Sequence, residues 1–227
     1  MTLRVGDEYH VGTMSYDAVL FDFDGVIVER PTSEALYDAL RRTVSTFGGS
    51  RPRPETLRAF LTGEFGVIAG CCRRLDVDTD AFCAQVAREV VRAQRRELER
   101  GVRSVYEDVS ILRSIAVPSG IVSDNHPAVI AMLLDRLGLD SAVEVVFGCP
   151  LTPDGFERRK PNAANIIEAM AALDAETALY VGDRSVDVRT AENAGIDSAI
   201  VARGDDPVDP SATYHLPSLR RLPSLLE

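Results

Sequence analysis

Short apolar segments alternate with longer amphipathic segments from residue 105 to the end of the chain. The short segments are rich in Val, Ile, Leu and Ala, which is typical of strands buried on both faces of a parallel sheet. The longer segments carry apolar residues at helical spacing, and Gly138 and Gly195 mark two helix ends. The pattern predicts strands at residues 120–123, 143–147, 177–181 and 198–202, with an edge strand at 214–216. It predicts helices at residues 107–116, 127–137, 162–173, 186–194 and 219–226.

The first strand is separated from the others by a long helical segment. Residues 18–21, with the sequence AVLF, form an unbroken apolar run, whereas residues 31–104 carry helical periodicity and no convincing strand. The whole pattern therefore predicts an α/β fold, a Rossmann-like parallel sheet with helices on both faces, plus a small all-helical cap domain. We expect an N-terminal tail at 1–13, a core at 14–30 and 105–227, and the cap at 31–104.

Two carboxylates follow the first strand directly. Asp22 and Asp24 lie in the sequence DFDG, and Asp and Gly are poor strand residues, so the chain is expected to turn there. Two acids at the end of a buried strand repel each other unless a cation or a proton lies between them. This arrangement indicates that a group from elsewhere in the chain, or a bound ion, compensates the charge.

Polar side chains also follow the other predicted strands. Ligands of open α/β sheets bind beyond the carboxyl ends of the strands, so these side chains are expected to converge there with Asp22 and Asp24. The residues are Ser123, Asp124 and Asn125 after the second strand, Lys160 after the third, and Asp183 and Asp187 after the fourth. Clustered carboxylates without a cation are strongly destabilising, and oxygen-only ligands favour a hard ion such as Mg²⁺.

Composition and charge narrow the function further. The 227 residues carry a net charge of −10, which disfavours binding to nucleic acids and to anionic membranes because both are polyanions. No apolar run approaches the length of a membrane span, and the first residues carry no apolar signal-peptide core, so a cytoplasmic location is expected. The four cysteines show no metal-ligand spacing and are expected to be reduced, buried thiols.

Lysine is almost absent from the chain. Of the 25 basic residues, Lys160 is the only lysine and all others are arginine. A single retained lysine at a predicted strand end suggests a task that needs a compact point charge in a narrow site. The neighbouring Arg158 and Arg159 are expected to be solvated loop charges rather than phosphate ligands.

The strand-end residues and their order resemble those of haloacid dehalogenase superfamily hydrolases. The resemblance is to the phosphatase subgroup with a helical cap inserted after the first strand, similar to phosphoglycolate phosphatases, and it covers about residues 16–222. The family's four motifs correspond to DFDGV at 22–26, Ser123 in GIVSDN, Lys160 in RRKPN, and Asp183 with Asp187 in GDRSVD. A lone DxD is weak evidence, but four motifs in order, each after its own strand, are specific.

The resemblance implies roles for the acids. Asp22 would be the nucleophile that forms an aspartyl-phosphate, and Asp24 would protonate the leaving oxygen and then deprotonate the hydrolytic water. Asp22, the backbone carbonyl of Asp24 and Asp183 would surround Mg²⁺. Asp187 would be a direct ligand of the metal or a residue that orients the ligands.

The resemblance also implies how the phosphoryl group is held. Ser123 and the adjacent backbone N–H, that of Asp124, would bind phosphoryl oxygens. Lys160 would neutralise the charge that develops during transfer. Substrate specificity is expected to lie in the cap, which would close over the site.

The sequence therefore predicts a Mg²⁺-dependent phosphatase that hydrolyses a small phosphorylated metabolite, such as a phosphoglycolate-like compound or a sugar phosphate. Two alternatives remain open at this stage. A phosphomutase of the same family would return the phosphoryl group to a sugar. A receiver-like regulatory domain would accept the phosphoryl group without turnover. The sequence does not indicate the oligomeric state.

Overall fold

The computed structural model describes residues 15–203 and 209–226. Within them, six parallel strands form one open sheet with the order β3-β2-β1-β4-β5-β6. The strands are β1 Ala18–Phe21, β2 Ser119–Val122, β3 Val145–Phe147, β4 Ala178–Gly182, β5 Asp197–Val201 and β6 Tyr214–Leu216. The predicted α/β class is confirmed, and the predicted tail at residues 1–13 lies outside the described residues.

The apolar run of β1 forms the centre of this sheet. All four of its side chains are buried, and the strand pairs with β2 on one side and β4 on the other. Phe21, its last residue, lies opposite Ile121 of β2 and Val181 of β4. The three strands are parallel, and they are in register up to the last residue of β1. The residues that follow β1, β2 and β4 therefore lie side by side at one edge of the sheet.

Of the α-helices, four occur between β1 and β2 in the sequence, and the others follow β2. They are α1 Ser33–Thr46, α2 Pro54–Thr62, α3 Phe65–Leu75, α4 Thr79–Glu99, α5 Pro127–Leu137, α6 Pro153–Glu157, α7 Ala164–Ala172, α8 Ser185–Ala194 and α9 Pro223–Leu226. Short 3-10 helices occur at Glu107–Ser114, Asp140–Ala142 and Leu219–Arg221. No helix among the described residues is both long and apolar enough to cross a membrane.

The four helices between β1 and β2 in the sequence, which we call the cap helices, share an apolar cluster that Phe156 of α6 also joins. Leu40 of α1, Ile68 of α3 and Phe82 of α4 are buried in it, apart from the cluster that covers the sheet. The apolar pattern predicts continuous helix from residue 54 to residue 72, but the helix ends at Thr62. Gly63 takes the left-handed conformation, with φ of 83°, and its N–H donates to the carbonyl of Ala59 at 2.9 Å.

Two further segments differ from the sequence prediction. Residues predicted as an α-helix at 107–116 form the 3-10 helix Glu107–Ser114, and the predicted loop before Lys160 contains the short helix α6. The side chain of Thr152 caps the start of α6, where its hydroxyl accepts a hydrogen bond from the N–H of Gly155 at 3.1 Å. The apolar pattern of the sequence did not predict this helix.

A buried carboxylate joins the 3-10 helix Glu107–Ser114 to the end of the chain. Asp108 accepts hydrogen bonds from Ser218 Oγ and Leu219 N, both at 2.8 Å, and both its oxygens accept from Arg203. Burial raises the pKa of Asp108, but these donors outweigh that effect, so its pKa lies below the usual value. The ionised carboxylate is therefore the form that stabilises the fold.

We expect Asp108→Asn to lower the free energy of unfolding by about 2 kcal/mol at neutral pH, because the charged acceptor is lost. The stabilisation by Asp108 exists above its unfolded pKa and is lost as the pH falls through the lower folded value. Urea unfolding of both proteins should therefore show a difference at pH 7 that shrinks towards pH 3. A difference of the same size at both pH values would contradict this account.

Candidate active site

The predicted catalytic residues meet at the carboxyl edge of the three central strands. Asp22 directly follows β1, Ser123 directly follows β2, and Asp183 directly follows β4. Asp187 lies in the first turn of α8, and Lys160 lies in the loop before α7. Side chains that are up to 165 positions apart in the sequence, from Asp22 to Asp187, thus converge on one site.

Lys160 lies between two of the carboxylates. Its Nζ is 2.8 Å from Asp22 Oδ2 and 2.6 Å from Asp187 Oδ1, and its side chain is 2% exposed. Nζ also lies 3.2 Å from the hydroxyl of Tyr180, which donates to the carbonyl of Val122 at 2.8 Å. Burial lowers the pKa of Lys160, but Asp187 and Asp22 raise it further, so the amine stays charged.

Asp22 is held by the start of the turn that follows it. Its Oδ1 accepts a hydrogen bond from the N–H of Phe23 at 2.7 Å, and the side chain is 2% exposed. Burial raises the pKa of Asp22 to about 7, against the opposing effect of Lys160. Nearby cations favour the ionised form of this buried carboxylate, and the ionised form is the nucleophile. Asp22 is therefore suited to attack at a site that binds a cation.

Asp187 has a different set of partners. Its Oδ2 accepts hydrogen bonds from the N–H groups of Asp183 at 3.1 Å and Arg184 at 2.9 Å, while its Oδ1 binds Lys160. Burial raises the pKa of Asp187, but Lys160 outweighs it, so the pKa is lowered. Asp187 therefore fixes the backbone of Asp183 and the amine of Lys160 at once.

Asp183 has one oxygen that accepts a hydrogen bond and one that has only a more distant cation, Arg184 Nε at 3.8 Å. Its Oδ2 accepts from Arg30 Nη2 at 2.5 Å, whereas its Oδ1 is buried and has no hydrogen-bond donor among the described residues. Burial and the charge of Asp187 raise the pKa of Asp183 against the effect of Arg30. An orphaned buried carboxylate oxygen is costly, and a cation ligand would satisfy it.

Three carboxylates have the arrangement that a metal ion requires. Asp22, Asp183 and Asp187 are all buried, and each offers an oxygen such that the three oxygens lie within 4.8 Å of one another. Carboxylate oxygens are the ligands of hard divalent cations. Together with the orphaned oxygen of Asp183, this donor set fits a divalent cation.

Two glycines allow this close approach. Gly25 has φ of +91°, and a Cβ built on it would lie 1.7 Å from Asp183 Oδ2. A Cβ built on Gly182 would lie 2.2 Å from the Cβ of Asp187. Any side chain at either position would push the carboxylates apart, so the glycine of DFDG and the glycine at the end of β4 are required by the site.

Asp24 belongs to a separate polar network. Of its other members, the sequence predicted only Asn125 to lie near the site. The Oδ1 of Asp24 accepts from Arg103 Nη2, and its Oδ2 accepts from Asn125 Nδ2 at 2.8 Å. Arg103 is 1% exposed and also donates to Gln94 Oε1 at 2.6 Å and to the carbonyl of Glu29. Burial raises the pKa of Asp24 more than Arg103 and Asn125 lower it.

Ser123 and Asp124 lie at the end of β2. Ser123 is 3% exposed, and its Oγ accepts from the N–H of Asn125 at 3.3 Å. The carboxylate of Asp124 accepts from the backbone N–H of Lys160 at 2.9 Å. The Asp124 side chain therefore holds the loop of Lys160. This leaves the backbone N–H of Asp124 as the group of this residue that suits a phosphate.

The site opens into a cavity of about 230 Å³ between the sheet edge and the cap helices. Asp22, Asp24, Ser123 and Lys160 line it from one side. Arg159 also lines it, contrary to the sequence-based expectation of a solvated loop charge. The Arg159 Nη1 donates to the carbonyl of Phe60 in α2 at 2.7 Å, so this residue connects the Lys160 loop to a cap helix. No sequence pattern distinguishes Arg159 from its neighbour Arg158.

Comparison with known proteins agrees with this geometry. Residues 19–201 match the family described as haloacid dehalogenase-like hydrolase, and the chain belongs to that family. It is similar to Pyrophosphatase PpaX from Halalkalibacterium halodurans, with 29% identity over 226 residues that cover 94% of this chain and 97% of that protein. The predicted family is confirmed.

Solved structures show the same fold at lower identity. CbbY from Rhodobacter sphaeroides in complex with phosphate has a TM-score of 0.66 at 17% identity and covers 91% of this chain and 96% of its own. A HAD phosphatase from Thermococcus onnurineus has a TM-score of 0.57 at 23% identity and covers 92% of this chain and 97% of its own. With these relatives, the chain is a hydrolase of the phosphatase type, a class that generally uses a divalent metal and an aspartyl intermediate.

We expect Gly25→Ala to lower metal-dependent hydrolysis of p-nitrophenyl phosphate by about a hundredfold, because a misplacement of about 1 Å can have that effect. Gly195→Ala is the matched control. Gly195 also has a positive φ, +73°, but a Cβ there would meet nothing within 4 Å. The control should lose about 1–2 kcal/mol of stability and keep its activity. Equal activities of the two variants would show that the contact between Gly25 and Asp183 is unimportant.

Proposed function

We propose that this chain is a Mg²⁺-dependent phosphatase that hydrolyses a small phosphomonoester through an aspartyl-phosphate on Asp22. The observation that carries the proposal is the position of the Asp22 carboxylate. It is buried at the end of the central strand, 2.8 Å from Lys160, with oxygens of Asp183 and Asp187 nearby. This is a nucleophile surrounded by the charges that phosphoryl transfer needs.

The first step transfers the phosphoryl group to the protein. An oxygen of Asp22 attacks phosphorus, the bond from phosphorus to the leaving oxygen breaks, and Asp24 gives its proton to that oxygen. Asp24 suits this role because its carboxyl group lines the cavity and burial shifts its pKa upward, the direction that an acid–base residue requires. Arg103 and Asn125 fix the direction of its carboxyl group.

The second step releases phosphate. Asp24, now ionised, takes a proton from a water molecule, whose oxygen attacks phosphorus and displaces the carboxylate of Asp22. The products are inorganic phosphate, the free Asp22 carboxylate and a protonated Asp24. The same residue thus acts as acid and then as base, as the two half-reactions require.

Mg²⁺ would be held by carboxylate oxygens of Asp22 and Asp183 and by the backbone carbonyl of Asp24. When bound, it would neutralise charge on the phosphoryl oxygens and on the nucleophile. Both oxygens of Asp187 already bind Lys160 or backbone N–H groups. These contacts support an orienting role for Asp187 rather than direct ligation.

The phosphoryl oxygens would be bound by three groups at the polar side of the cavity. Ser123 Oγ and the backbone N–H of Asp124 would donate hydrogen bonds. Lys160 would supply a fixed positive charge, since its amine is already held between Asp22 and Asp187. This division leaves the carboxylate of Asp124 to hold the Lys160 loop.

The same observations support proposals about the division into core and cap, the size of the substrate and the cellular location of the protein. The separate apolar clusters support a core at residues 14–30 and 105–227 and a cap at 31–104. The small cavity supports a small phosphorylated metabolite as substrate, in line with the names of the relatives. The four free cysteines favour a reducing compartment, the cytoplasm.

We expect Asp22→Asn to lower phosphate release from p-nitrophenyl phosphate by at least about a thousandfold, since the amide cannot form the covalent intermediate. Asp24→Asn should lower it by about a hundredfold to ten-thousandfold, because the proton donor is lost. Removal of divalent cations with EDTA should abolish turnover, and added Mg²⁺ should restore it.

Asp135→Asn provides the control for these variants. Asp135 is an exposed acid on α5, away from the cavity-lining residues, so its amide should leave turnover unchanged. Undiminished phosphate release by Asp22→Asn would remove this residue as the nucleophile.

A further inference from the structure

The cavity has two chemically different sides. Its polar side is made of the strand-end residues already described, together with His126 and Arg184. Its other side is made of cap residues, and those that line it are apolar with one exception. They include Leu36, Leu40, Leu57, Leu61, Val86 and Val90. The phosphoryl group must lie at the polar side against Asp22, so the rest of the substrate meets the apolar side.

The one polar side chain that a cap helix contributes to the described lining is Gln94 of α4. Its Oε1 already accepts hydrogen bonds from Arg103 at 2.6 Å and from Asn125 at 3.2 Å, and its Nε2 lies 3.5 Å from Asn125 Oδ1. The amide is therefore occupied within the Asp24 network. Hydroxyl or carboxylate groups of a substrate would lose water on this side without gaining a partner, which is unfavourable.

Arg159 is a cation that lines the cavity and also contacts a cap helix. Its Nη1 donates to the carbonyl of Phe60 at 2.7 Å, and its Cζ lies 4.2 Å from the centre of the Phe156 ring. These contacts hold the guanidinium between a cap helix and α6. Its Nε is buried without an acceptor among the described residues, so an anion at Arg159 is the rival to an apolar group at this place.

We propose, on the basis of the proposed function, that the leaving group of the substrate is a short apolar group, so that the substrate is an alkyl or aryl monophosphate. The continuous apolar side favours it over a sugar, a carboxylate or a second phosphate. The cavity of about 230 Å³ is smaller than typical drug-sized pockets, which limits the group to a short chain or a single ring. Leu57 and Leu61 of α2 would contact it and set the specificity.

Binding of non-hydrolysable alkylphosphonates tests this without any turnover. Calorimetric titrations of the full chain with Mg²⁺ should use methyl-, propyl-, butyl- and hexylphosphonate. We expect affinity to rise about threefold for each added methylene up to butylphosphonate, because each becomes buried against the apolar side. Butylphosphonate should bind more tightly than phosphonoacetate, which carries a carboxylate in place of the apolar chain.

A matched pair of variants locates the effect. Leu61 and Ile167 are both 55% exposed, so Asn at either position should leave the fold intact, but only Leu61 lines the cavity. Leu61→Asn should weaken binding of butylphosphonate at least threefold and leave binding of methylphosphonate unchanged. Ile167→Asn should bind the whole series like the wild type.

Two outcomes would overturn the proposal. One is an affinity that does not change with chain length. The other is tighter binding of phosphonoacetate than of butylphosphonate that is lost in Arg159→Gln, which would assign an anion site to Arg159 instead. Either result could occur while Asp22-dependent release of phosphate is intact, so failure of this inference is distinct from failure of the proposed function.

Discussion

The site depends on the burial of several carboxylates close together, which is possible only where cations compensate them. Asp22, Asp183 and Asp187 are at most 7% exposed, and their oxygens lie within 4.8 Å of one another. Lys160 lies between Asp22 and Asp187, and Arg30 pairs with Asp183. One buried oxygen of Asp183 still has no donor among the described residues. Arg184 Nε lies 3.8 Å from this oxygen, so a positive charge is near it but no hydrogen bond satisfies it.

The fold supplies the precision that this cluster requires. The strand order places β1 between β2 and β4, so three strand ends present their residues to one space. Gly25 and Gly182 permit approaches that a methyl group would prevent. Asp187 holds the backbone of Asp183 and the amine of Lys160 together. Strand ends, the first turn of α8 and the hydrogen-bonded loop of Lys160 therefore determine the distances on which phosphoryl transfer depends.

The parts of this arrangement that are local in sequence could be predicted, and the parts formed only by tertiary contacts could not. The apolar run before Asp22 and the single lysine of the chain are visible in the sequence. The partner of Asp24 is not, because Arg103 is one of many arginines and lies 79 positions away. The break at Gly63 and the helix α6 were missed for a different reason. Apolar periodicity continues across Gly63, and α6 is too short to show any.

In the proposed function, one side of the cavity carries out phosphoryl transfer and the other selects the substrate. The polar side belongs to the sheet edge and acts only on the phosphoryl group. The apolar side belongs to helices whose apolar cluster is distinct from the one that covers the sheet and the nucleophile's strand. The network from Asp24 through Arg103 to Gln94 connects the two, since Gln94 lies on a cap helix. The position of the cap helices and the orientation of the Asp24 carboxyl group are therefore linked.

The central claim is that a divalent cation binds the oxygen of Asp183 that no hydrogen bond satisfies. Calorimetric titration of Mg²⁺ into the wild type and into Asp183→Asn tests it most directly, with Asp135→Asn as the control. The account predicts that the wild type and the control bind Mg²⁺ alike and that Asp183→Asn binds it at least about tenfold more weakly. Equal Mg²⁺ affinity in all three proteins would contradict it.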